Sequence, residues 1–89
     1  MEPRFEDKWA RRAFDEAVRL LATNTTLDAP TARVKLIETY REMEPDFEYK
    51  NIALHRAVDR LLEEYALTAE DARRVRETVP WYRRLLGPQ

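Results

Sequence analysis

Tyr49-Lys-Asn-Ile-Ala-Leu-His-Arg-Ala-Val-Asp-Arg-Leu-Leu-Glu-Glu-Tyr65 contains neither glycine nor proline and is the longest uninterrupted amphipathic pattern in the chain. Leu54, Ala57, Val58, Leu61, Leu62 and Tyr65 recur at three- and four-residue steps, so a helix places them on one face. Arg56, Arg60 and Glu63 point the other way. Tyr49 and Ile52 fall opposite Leu54 and Leu61, where helix two or the N-terminal arm covers them or a small apolar patch is left. An apolar stripe needs a covering surface, and the neighbouring segments offer helices for that purpose.

Working outward, the first helix is expected over about residues 3–22, with Pro3 in the first turn, where its missing N–H costs nothing. Phe5, Trp9, Ala10, Ala13, Phe14, Ala17, Val18, Leu20 and Leu21 spread over more than half its circumference at 100° per residue. One neighbour does not require so wide an arc. The expectation is a helix wedged between two others, or between its own domain and a second chain. Thr23-Asn24-Thr25-Thr26 reads as a connector, because these side chains bond locally in competition with helix. Asn24 suits a left-handed helix end.

Asp28-Ala29-Pro30 opens helix two, expected over about 30–43, with Ala32, Leu36, Tyr40 and Met43 as its stripe and Ile37 beside it. Pro45 ends it, since the residue before a proline is pushed out of the α region. Asp46 is the expected N-cap of the central helix, which then spans about 47–66. Thr68 caps a fourth helix over about 69–79, with Glu70 and Asp71 in its first turn. Its seam, Ala72, Val75, Val79, Tyr82 and Leu86, steps in coiled-coil fashion across Pro80, which kinks or splits it. A separate piece over about 80–86 would make a fifth helix. The expected fold is therefore all-α: a small single-domain bundle of four helices, or five if Pro80 splits the last.

Composition narrows the chemistry. An 89-residue chain buries only about 60–65% of its unfolded surface, so a partner surface is thermodynamically attractive. Without cysteine there are no disulfides, thiolate metal sites or thiol nucleophiles, and without serine there is no Ser-His-Asp chemistry. A single glycine, Gly87, rules out a glycine-rich phosphate loop and disfavours hairpins. No apolar run approaches the roughly 20 residues of a membrane span, and charge begins at Glu2, unlike a signal peptide. A soluble cytoplasmic protein with no membrane contact is expected. Net charge is −1 but uneven: residues 1–37 sum to +1, 38–71 to −6 and 72–89 to +4. Intramolecular complementarity is the preferred reading of that asymmetry over an acidic partner.

Candidate sites weigh as follows. His55, the lone histidine, has Asp59 one turn later, but Ile52 stands where a Glu-x-x-His metal motif needs its acid. A solvent-flank pair is the better reading, and neither metal nor cofactor is expected. Glu38, Glu42, Glu44, Asp46 and Glu48 carry no spacing that selects acid–base catalysis over a solvated face. The basic C-terminal part admits two readings. Arg73, Arg76 and Arg83 could contact phosphate in a helix-turn-helix-like nucleic-acid binder, with aromatic stacking beside them. Against it stand the low pI of about 5.9 and an excess of arginine over lysine that runs through the whole chain. Trp, Tyr and Arg are also the residues most enriched at protein hot spots. The expectation is thus a non-enzymatic protein-interaction module, such as an adaptor, assembly factor, small subunit or inhibitor. It binds itself or a larger partner through Trp81, Tyr82, Arg84, Leu85 and Trp9. The alternative for Trp81 is a core-capping role.

Overall fold

A computed structural model describes residues 8–78 as four helices: α1 (Lys8–Asn24), α2 (Ala29–Met43), α3 (Lys50–Tyr65) and α4 (Ala69–Thr78). No strand occurs among the described residues. The all-α bundle expected from the periodicity is the architecture observed.

The apolar stripe of α3 is the hub. Ala53, Leu54, Ala57, Val58, Leu61 and Leu62 are all buried, and α3 packs against α1, α2 and α4. Tyr65 is half-buried at the end of the stripe, whereas Arg56, Arg60 and Glu63 are exposed. Across from it, α2 contributes Ala32, Leu36 and Tyr40, and α1 contributes Ala13, Phe14, Ala17, Val18, Leu20 and Leu21. The wide apolar arc of α1 has an internal explanation, because α1 contacts both α2 and α3. Its alanines let those backbones approach, and Phe14 fills the space between at 1% exposure. Ile52 is half-buried, while Tyr49 stays 61% exposed.

The helix ends depart from expectation in instructive ways. α1 runs two residues further, through Thr23 and Asn24, because the polar side chains complete its last turn instead of competing with it. Asn24 Nδ2 donates to the Leu20 carbonyl at 3.0 Å, and Thr25 N–H reaches Leu21 O at 3.0 Å. The side chain of Asn24 thus satisfies a carbonyl of the last turn. The Thr25 hydroxyl also donates to Leu21 O while accepting from Leu27 N–H, which turns the chain toward α2. There Asp28, in the stretch expected to open helix two, serves as its N-cap, accepting from Thr31 N–H at 2.8 Å.

α2 stops at Met43, yet Glu44, the residue before Pro45, remains right-handed helical at φ −51°, ψ −43°. The expected steric exclusion is therefore not the cause. Pro45 has no N–H to give the Arg41 carbonyl, so the ladder ends and the chain tightens into a 3-10 turn over Glu44–Asp46. That turn absorbs Asp46, which is not the cap of α3. Phe47 is extended and packs half-buried against the core, and α3 begins three residues later than expected, at Lys50. Its cap position is Tyr49, without a side-chain cap bond. α4 starts as predicted: Thr68 Oγ1 accepts from Asp71 N–H at 3.0 Å.

Candidate functional site

Of the residues expected to make contacts, Trp81, Tyr82, Arg84 and Leu85 lie outside the described residues, as do Arg83 and the proposed break at Pro80. Trp9 sits in the first described turn of α1, far in sequence from the others. Arg73 and Arg76 both belong to α4. The helix that leads into the aromatic C-terminal sequence is thus the part of the candidate surface that can be built in detail.

α4 is loosely joined to the rest. Its principal contact is with α3, Ala72 is its fully buried apolar side chain, and Val75 is half-buried against the core. Its remaining described side chains are mostly charged. Arg73 lies 3.9 Å from Glu70 and 3.4 Å from Glu77, and Arg74 lies 3.0 Å from Asp71. These are exposed pairs one turn apart, each contributing only about 0.3–0.5 kcal/mol. Their electrostatic consequence is larger than their energy: over Ala69–Thr78, three arginines meet three acidic residues, so the helix is formally neutral.

Where α4 leaves α3, it faces the connection between α1 and α2 across an open cleft of about 470 Å³. Thr23, Thr26, Tyr65, Leu67, Arg74 and Val75 are among its walls. Leu67, in the turn between α3 and α4, is 85% exposed, the most exposed large apolar side chain among the described residues. The cleft has no signature in the sequence because it assembles from two connectors, the end of α3 and one face of α4, each unremarkable in isolation. The one available signal was Leu67 itself, an apolar residue in a turn.

The acidic middle is partly neutralised from within. Glu42 bonds Arg60 at 2.8 Å across α2 and α3, Glu44 pairs with Lys50 at 3.1 Å, and Glu38 lies 4.0 Å from Lys35. Intramolecular complementarity is realised here mainly among near neighbours. His55 and Asp59 are half-buried on the flank of the α3 stripe. Among the described residues, no three His, Asp or Glu side chains converge as a metal site, and no helix is long and apolar enough to cross a membrane.

Two titrating groups depart from ordinary behaviour, and both have structural causes. The hydrogen bonds from Thr31 hold the Asp28 carboxyl below the usual carboxylate range. Burial, then the nearby Glu44, pushes the Tyr40 hydroxyl above the usual phenol range, so Tyr40 is a neutral core residue at physiological pH. Neither faces the cleft. Set against known protein families, curated proteins and solved structures, the chain matches none.

Proposed function

We propose that this chain is a non-enzymatic helical module that binds protein through α4 and the sequence that follows it. The observation that carries the reading is the contrast between α4 and the core. Three helices bury their stripes in one another, whereas α4 buries little and its apolar seam continues in sequence to Val79, Tyr82 and Leu86. Trp81, Tyr82 and Arg84, interleaved in sequence with those positions, are of the residue types most enriched at interface hot spots, and Leu85 adds apolar area beside them in the sequence. The described part of the α1 arc, from Ala13 to Leu21, packs within its own domain, so the bet on α1 as a contact surface falls on Trp9 alone.

A nucleic-acid reading has less behind it. Arg73 sits between Glu70 and Glu77, so a phosphate approaching α4 meets a neutral helix instead of a basic one.

The test begins with solution mass by light scattering at several protein concentrations, for the parent and for Trp81→Ala/Leu85→Ala. Retained helicity with weakened self-association, or weakened capture of a partner by a monomeric parent, is the expected result. If the double variant associates as the parent does, the surface lies elsewhere. If it unfolds, Trp81 and Leu85 belong to the core and the reading fails. A salt-dependent mobility shift with duplex or single-stranded probes, reduced by Arg73, Arg76 and Arg83 substitutions, would favour the nucleic-acid alternative instead.

A further inference from the structure

The cleft beside α4 joins an exposed apolar side chain to walls that the core has already fixed. Tyr65 and Val75, on two of its sides, are half-buried against the core, and Leu67 between them in sequence is 85% exposed. Thr23 and Thr26 add hydroxyl groups. The lining holds one acid and one base, Asp71 and Arg74, which lie 3.0 Å from each other. The cleft therefore has no surplus charge with which to select an ionic ligand. Apolar side chains with hydroxyls among them suit tryptophan and tyrosine, whose N–H and O–H need partners once the rings are buried.

The sequence after α4 supplies those two residues at short range. α4 ends at Thr78, three residues past Val75, which is about 4.5 Å of helix rise. Val79-Pro80-Trp81-Tyr82-Arg83-Arg84-Leu85-Leu86 follows. Pro80 has no N–H for the helix ladder, and its ring crowds the carbonyl four residues back, so this sequence does not favour running straight on from α4. The reach is ample. Six extended residues cover about 20 Å, against about 15 Å for the whole of α4. A segment tethered so close competes at millimolar effective concentration, ahead of a free partner or a second copy with the same side chains.

We propose that Trp81 and Tyr82 dock in the cleft of their own chain, against Tyr65, Leu67 and Val75, and so hold the binding segment until a partner competes for it. The proposal rests on the protein-binding reading above and adds its regulation.

The experiment uses the full chain carrying Trp9→Phe, which leaves Trp81 as the one tryptophan, and follows its emission and its quenching by acrylamide. The expected result is a shielded, blue-shifted Trp81 whose emission is independent of protein concentration. Leu67→Glu sets a charge among the apolar walls and should lower the docked-to-free ratio about tenfold, read as a red shift and stronger quenching. The freed segment should then associate more tightly by up to the same factor. Thr26→Lys should act in the same direction, and it keeps the test decisive if circular dichroism shows Leu67→Glu to be misfolded. Tyr49→Glu, at an exposed aromatic outside the cleft, should leave the emission unchanged.

A Trp81 as quenchable in the native chain as in the urea-unfolded one overturns the proposal. So does shielding that survives both cleft variants, or shielding that appears only as concentration rises, which would seat the segment on a second copy. Release of Trp81 by Leu67→Glu without a gain in an association that Trp81→Ala/Leu85→Ala weakens would overturn the regulatory role. The two readings fail separately. A solvated Trp81 with association still lost in the double variant removes only the docking in cis. A shielded Trp81 that Leu67→Glu releases, with association unmoved by the double variant, removes only the α4 reading.

Discussion

α3 and α4 follow one another across a three-residue turn, yet they have opposite relations to the rest of the molecule. α3 buries six side chains and touches every other helix, whereas α4 buries Ala72, half-buries Val75 and surrounds them with exposed ion pairs. Both are amphipathic, and both begin where the sequence permits a helix. What separates them is the width of the stripe, since a wide stripe earns a place between two neighbours and a narrow one only a place beside one. Amphipathicity alone therefore says that a helix packs, and stripe width says how firmly.

The largest perturbation of this contrast is Phe14→Ala. It opens a cavity among α1, α2 and α3 and removes the ring beneath Arg33, and should cost about 3–5 kcal/mol in denaturant unfolding. Against a total of about 5–15 kcal/mol for a domain, that approaches complete unfolding. Thr68→Ala should cost about 1 kcal/mol by removing the α4 cap, with the effect confined to one region. Native-state hydrogen exchange should show α4 amides opening while those of α3 keep their protection. Simultaneous loss of protection in both helices would show that the two regions are one cooperative unit.

A finer probe is Asp28→Asn, which keeps an acceptor for Thr31 N–H and removes only the charge. The native Asp28 pKa lies below its unfolded value, so its stabilisation is present above the unfolded carboxylate pKa, near 4. It fades as pH falls through the native value. Parent and variant stabilities should therefore differ at pH 7 and converge in strong acid; a constant gap would assign the effect to hydrogen bonding alone. The smallest effect is expected from Glu42→Gln. Its pair with Arg60 links α2 to α3 but is exposed on both sides, so about 0.5 kcal/mol or less should be lost.

Much of this organisation is legible in the sequence. The α3 stripe, the Thr68 cap and the stop near Pro45 follow from spacing and from backbone donors that are present or missing. The start of α3 differs from the one its sequence suggests because Asp46 has the right side chain for a cap, while the decisive fact is tertiary. Phe47 packs on the core, and that draws residues 47–49 into an extended path before the helix can begin. The arc of α1 was legible as wide, but periodicity cannot say whose surface fills it. For the candidate site the balance is different. The Glu70–Arg73–Glu77 ladder that neutralises α4 is written in the spacing, whereas the Arg33–Asp15 link between α1 and α2 joins residues eighteen apart. Pairings of that kind depend on the angle between two helices, which no local pattern encodes.

Leu67 has a consequence for turnover. It stands 85% exposed in the turn between the firmly held helix and the loosely held one, and it is a residue that many proteases accept before the scissile bond. A single nick there would cut the covalent link between the three helices that share the core and α4, with the proposed binding segment on the far side of the cut.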